Sequence, residues 1–245
     1  MENTQNSYLV TERPLRLIRK FSLPCVISLV TAALYNIADQ IFIANTPSLG
    51  SNGNAANTVV FPLTVIALAI AVMIGDGCCS FMSISLGKGN KTEASNGVGS
   101  SILVAIPASI VLMLVYLICA EPILSAFGGH VNETTYLFSS QYLFWISLGI
   151  PFYMFGQMIN PTIRGDGSPK FAMIATLSGA ILNIILDPLF LFGFGWGMMG
   201  AALATILGQI VTAILSVWYL FHLHTICLEK ESFRFYPHLM KEYLP

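Results

Sequence analysis

Two aspartates stand in stretches that otherwise carry almost no charge, Asp39 in YNIADQIFIA and Asp187 in LNIILDPLF. Tyr35 precedes Asp39 by four residues and Asn183 precedes Asp187 by four, so on helices each pair shares one face. Carboxylate and amide oxygens are hard donors, suited to a proton or an alkali cation. In water an Asp before a Pro, as in Asp187-Pro188, marks a turn. In a membrane a carboxylate costs about 2.5 to 3.5 kcal/mol by insertion scales, and such residues usually face a cavity or an ion path. The solvent around these residues therefore decides what they mean.

Composition identifies that solvent as lipid. Of the 245 residues 9% are charged and 55% apolar, and the mean hydropathy is +0.74, against roughly 25% charged in an average soluble domain. Six apolar segments, at about 15–44, 56–86, 93–119, 135–159, 170–192 and 197–223, each reach the roughly 20 residues that a helix needs to cross the hydrocarbon core. Transmembrane strands would be shorter and would alternate in polarity. The expected fold is an all-α integral membrane protein, a bundle of six transmembrane helices over 15–223. A cytoplasmic segment, 1–14, precedes it and a cytoplasmic tail, 224–245, follows. No cleavable signal is expected, because the first apolar run exceeds a signal h-region.

The basic residues fall on one side of this six-span arrangement. Arg13, Arg16, Arg19 and Lys20 are read as lying before span 1, Lys88 and Lys91 between spans 2 and 3, Arg164 and Lys170 between spans 4 and 5, and Lys230, Arg234 and Lys241 after span 6. The opposite loops, NTPSLGSNGN, EPILSAFGGHVNETT and FGFGWGMMG, contain none. The positive-inside rule then places both termini in the cytoplasm of a plasma-membrane protein. Five cysteines without CxxC spacing suggest neither disulfides nor a zinc site, and a net charge of −1 offers nucleic acid no basic patch.

Helix rise converts position into height. Counted from the outer span ends at about 1.5 Å per residue, Asp39, Tyr142, Asn183, Asp187 and Thr205 fall within roughly 6 to 12 Å of the external boundary, although they come from spans 1, 4, 5 and 6. Interhelical hydrogen bonding would account for Asn183 or Thr205 alone. Two carboxylates in one layer, with no Lys or Arg at that depth, call for neutralisation by a proton or a bound cation such as sodium. Asp76 lies near the cytoplasmic face, and Glu93 and Asp166 belong to internal loops, so none of these is expected in a site.

Four stretches in order resemble the multidrug and toxic compound extrusion (MATE) family. They are YNIADQIFIA, GDGCCSFMSISLGKGNKTEA, IRGDGSPKFA and LNIILDPLFLFGFGWGMMGAALAT. The resemblance runs from about Arg13 to the end of span 6, with SISLGKG departing from the family by lacking an Arg. It implies a cation-coupled antiporter, driven by protons or sodium, that exports amphipathic, cationic drugs or toxins. It also implies that Asp39, Asn183, Asp187 and Thr205, with the carbonyl of Ala201, bind the cation. Tyr35, Tyr142 and Asn160 would line the substrate cavity, although Asn160 lies near the cytoplasmic end by height, and span 1 would bend at Pro24.

Family members have two six-helix lobes, and this chain resembles the first, its tail FRFYPHLMKEYLP resembling the linker to the second. The expected partners are a drug-like small molecule, the lipid bilayer and a second six-helix lobe or chain. No cofactor and no enzymatic activity are expected. The alternatives are a truncated product without transport of its own, or a lipid or polysaccharide flippase of related architecture. The flippase would need a cationic cavity, whereas no Lys or Arg is expected inside a span. An intramembrane aspartyl protease is disfavoured because Met73 stands where its Gly-x-Gly-Asp signature has the first Gly.

Overall fold

The computed structural model describes residues 13–129 and 132–234. Most of the expected N-terminal segment, the tail beyond 234 and His130 lie outside the described residues. Among the described residues seven α-helices follow one another: α1 (Pro14–Asn45), α2 (Gly50–Gly87), α3 (Lys91–Ile118), α4 (Ala120–Ala126), α5 (Glu133–Gly165), α6 (Pro169–Pro188) and α7 (Gly197–Leu220). All but the short α4 are long and apolar enough to cross a membrane. The protein is a six-span all-α bundle.

Local chemistry sets the helix ends. Asn90 caps α3, its side-chain oxygen accepting from the Glu93 N–H at 3.1 Å, and Asn132 caps α5 by accepting from the Thr135 N–H at 2.7 Å. Gly89 and Gly167, at φ +78° and +92°, make the turns before α3 and α6, a conformation that glycine adopts without a Cβ clash. Pro24, Pro62, Pro107, Pro151 and Pro161 all lie inside continuous helices. Neighbouring helices and hydroxyl side chains satisfy the backbone that such prolines disturb, so membrane spans accommodate them.

Three boundaries depart from the sequence expectation. α2 starts at Gly50 and takes in SNGN, which reads as a loop, because Leu49 and Gly50 donate back to the Thr46 carbonyl at 3.0 Å and close a turn tight enough to begin the helix. α5 continues through Pro161 to Gly165, so Arg164 lies in its last turn and the expectation of no Arg or Lys inside a span is corrected; α1 likewise includes Arg16, Arg19 and Lys20. Directly after Pro188, α6 passes into a π-helical turn, Leu189–Gly193, with the Phe194 N–H bonded to the Leu189 carbonyl at 3.0 Å.

α5 is the central helix, packed against α2, α3, α6 and α7, while α1 lies at the edge against α6 and α2. Lipid is as apolar as a leucine side chain, so helix association here rests on close packing. Small residues permit it. A Cβ on Gly75 would stand 2.5 Å from the Met158 carbonyl oxygen across α2 and α5, and one on Gly179 would stand 2.5 Å from the Gly208 carbonyl across α6 and α7. Met154, Met158 and Met198 are fully buried core residues in this packing.

Candidate functional site

Two buried polar clusters occupy opposite ends of the bundle. The first lies where the halves of α1, α2, α5, α6 and α7 remote from the basic residues meet. Asp39, from α1, is buried, and its Oδ2 accepts from the Asn57 amide of α2 at 3.3 Å. Beside it stands the carboxyl of Asp187 from α6, which has no exposed surface. Tyr35 of α1 and Tyr142 of α5 are buried close enough to both carboxyls to feel their charge, and Thr205 of α7 adjoins Tyr142. The Asn183 amide donates to Thr205 Oγ1 at 3.4 Å, while its own oxygen has no protein donor. Ala201, one turn outward from Thr205 on α7, is fully buried.

Among the described residues no donor reaches either oxygen of Asp187, or Oδ1 of Asp39, in hydrogen-bonding geometry, although the Asn183 side chain lies close to the Asp187 carboxyl. Two carboxyl groups side by side have no hydrogen to share between them unless one arrives with a proton, and otherwise their charges repel unless a cation lies between them. Oxygens of Asp39, Asp187 and Asn183 are thus all available in one place, with no buried Lys or Arg nearby to neutralise them. Such a donor set fits sodium or a proton. The π-helical turn directly after Asp187 widens the helix there, a distortion frequent at functional positions.

Asn57 is not legible as a site residue from sequence, because its apolar segment begins at 56. From the true start at Gly50 it lies seven residues in, about 10 Å deep, in the same layer as the other groups. Gln209, one turn inward from Thr205, also carries a buried oxygen without a donor.

Asn160 does not join this cluster. It lies eighteen residues beyond Tyr142 on α5, about 27 Å away along the helix, and donates to the Ala172 carbonyl and Thr176 Oγ1 of α6, both at 3.2 Å. Its oxygen accepts from Arg164, whose other nitrogen donates to Cys25 Sγ, next to Pro24, at 2.7 Å. Asn160 therefore lies toward the basic end of the bundle, the end that also holds the second cluster.

That second cluster centres on Asp166, which the sequence assigns to an unremarkable loop. It is buried and accepts from Tyr219 Oη at 2.7 Å, from the backbone N–H groups of His224 and Thr225 at 2.8 and 2.9 Å, and from the Thr225 hydroxyl. The segment after α7 is thereby folded back as a strap. Its far end is held on α3, where Ser95 donates to the Cys227 carbonyl at 2.7 Å and Ser100 to the Arg234 carbonyl at 2.8 Å.

Comparison with known proteins agrees with this architecture. Residues 24–189 match the MatE family. The chain belongs to that family. It is 32% identical over 223 residues to an FAD transporter of Shewanella oneidensis, covering 89% of this chain and 48% of that protein. It is 28% identical over 219 residues to the multidrug export protein MepA of Staphylococcus aureus, covering 89% of this chain and 48% of MepA. The fold matches a crystal structure of a MATE transporter in the bent conformation with a TM-score of 0.88 at 27% identity, over 99% of this chain and 54% of that one. The chain thus spans about half the length of the relatives it matches.

Proposed function

We propose that this MATE chain is the cation-binding half of an antiporter, in which a proton or sodium ion taken up by the Asp39–Asp187 pair drives the export of an amphipathic organic cation. The pair itself carries the reading: two buried carboxyls face each other with three oxygens that no protein group satisfies. Neutralising that pair would favour a rearrangement of α1 and α6, which bring the two carboxyls together, and Pro24 is the position at which α1 can bend, since it offers no N–H to the turn before it.

A cationic substrate is preferred over the flavin dinucleotide carried by the Shewanella relative. Among the described residues the outer half of the bundle holds carboxylates, amides and hydroxyls but no Lys or Arg to meet an anion. Because the relatives are about twice as long, the transporting unit would include a second six-helix lobe, in the same polypeptide or beside it.

The deciding measurement is export from proteoliposomes under an imposed sodium or proton gradient, with the chain paired with a coexpressed second lobe. Asp187→Asn keeps size and shape but cannot titrate, and gradient-driven export should fall to background at matched protein levels. A near-normal rate would end the ion-switch reading. Orientation is proposed from the one-sided basic residues: the end bearing Lys88, Lys91, Arg164 and Lys170 faces the cytoplasm of a plasma membrane. A cysteine placed at Asn52 should then react with an impermeant thiol reagent in intact cells and one at Lys88 should not.

A further inference from the structure

Asp39, Asn183 and Asp187 are at most 5% exposed, enclosed by the helices of this lobe. An ion bound there must pass between those helices. Hydroxyl behaviour shows where. The usual habit of Ser and Thr in these spans is to bond the carbonyl one turn back, as Ser28, Thr46, Thr58, Ser83, Ser101, Ser147 and Ser216 all do at 2.6 to 2.9 Å. Thr135 and Ser139 do not. Both are essentially unexposed, and neither side-chain oxygen has any partner, even though Ser139 sits inside α5 with the Thr135 carbonyl one turn behind it.

Thr135, Ser139 and Tyr142 recur at i, i+4 and i+7, one face of α5 that descends from its outer end to the carboxyl pair. Further along that face, Gly149 abuts Ile206 and Gln209, so the face looks toward α7. A second track descends α2. Asn54 has a buried oxygen without a donor, and one turn inward Asn57 touches Asp39. The two helices run parallel and in register: Asn132 donates to Asn52 at 3.4 Å at their outer ends, and Gly75 abuts Met158 toward their inner ends. Asn54 and Thr135 therefore share one height, and Asn57 and Ser139 share the next.

We propose that Asn54, Thr135 and Ser139 mark a narrow hydrated route, between the outer ends of α2, α5 and α7, by which the coupling cation reaches Asp39 and Asp187. The proposal rests on the reading of those carboxyls as the cation site. Polar atoms buried without partners are costly in lipid and are ordinarily satisfied by water or an ion. A file of them leading inward to a carboxyl pair provides successive oxygens on which a partly dehydrated cation can be handed down.

The route is tested in the full chain in membranes, with its five natural cysteines replaced, by comparing Ser139→Cys with Leu143→Cys, which lies one turn further along the same helix in a fully buried apolar setting. A thiol in an apolar, dry environment is inert, so Ser139→Cys should react with a small impermeant methanethiosulfonate, applied opposite the basic end, at least about tenfold faster than Leu143→Cys. Thr135→Cys serves as the second reporter should Ser139→Cys fail to accumulate. Equal, slow rates for the reporter and Leu143→Cys would overturn the route. This readout does not involve Asp187. A dry Ser139 with Asp187→Asn inactive removes only the route; a reactive Ser139 with Asp187→Asn fully active removes only the ion switch.

Discussion

Asp187 and Asp166 are the same residue type, both buried, at opposite ends of one bundle, yet their surroundings are opposites. Asp166 collects four donors from Tyr219, His224 and Thr225, whereas among the described residues Asp187 has none in hydrogen-bonding geometry. A carboxylate that the protein satisfies completely has no capacity left for a ligand, and its role is to fasten. One that the protein surrounds without satisfying is stabilised only when something arrives. Burial alone cannot separate these roles; the donor count does.

The largest expected effect sets these two residues against each other in stability. Asp166→Ala strands the Tyr219 hydroxyl and the Thr225 N–H in a buried setting, at about 1 to 3 kcal/mol for each unsatisfied group, so a loss of at least about 2 kcal/mol is expected, the exposed His224 N–H adding less. Asp187→Asn removes a charge that no donor stabilises and should leave thermal unfolding in detergent unchanged or slightly improved, even as it ends gradient-driven export. If Asp187→Asn melts below Asp166→Ala, the contrast between fastening and waiting carboxyls is wrong.

A second, smaller effect probes the strap that Asp166 holds. A Cβ on Gly99 of α3 would stand 2.1 Å from the Ser232 carbonyl oxygen, which is backbone and cannot swing aside as a side-chain tip would. Gly99→Ala should therefore lift the strap at a cost of about 1 to 3 kcal/mol. Amide exchange across His222–Arg234 should accelerate, and the Tyr142 end of the bundle should be unaffected. Unchanged exchange in the strap would mean that its docking on α3 contributes little.

Much of the outer cluster was legible because helix rise turns sequence number into height, which put Asp39, Tyr142, Asn183, Asp187 and Thr205 in one layer before any packing was known. Height carries no azimuth, however. That Asp39 and Asp187 face each other follows from α1 packing on α6, a contact between segments nearly 150 positions apart. Asn57 was lost to a boundary error, since SNGN has loop composition and becomes helical only because Thr46 closes the preceding turn. Asp166 was lost for another reason. The motif RGDGSP does form a turn, but the donors that bury its carboxylate come from Tyr219, His224 and Thr225, more than fifty residues later, where no local pattern points back to it.

The smallest expected effect belongs to Asn57, and it sharpens the contrast from within the outer cluster. Among the described residues its amide makes the one hydrogen bond of normal geometry that either carboxyl of the pair receives, to Asp39 Oδ2, and at 3.3 Å that bond is long. Removing it with Asn57→Ala should cost roughly 1 kcal/mol of stability, close to the net worth of a single hydrogen bond. The cation should sense more than the fold does, because Asn57 holds Asp39 in position while leaving Oδ1 and both oxygens of Asp187 open. Apparent cation affinity should weaken about fivefold, the factor that corresponds to roughly 1 kcal/mol, with the maximal export rate retained at saturating cation. Asn183→Ala should behave similarly, since it too removes a neutral group and leaves both charges. Export measured across a series of sodium concentrations or external pH values distinguishes these outcomes. A collapse of the maximal rate in Asn57→Ala, comparable with that of Asp187→Asn, would mean that the amide does more than position its neighbour, and the division between one titrating pair and its neutral supports would have to be redrawn.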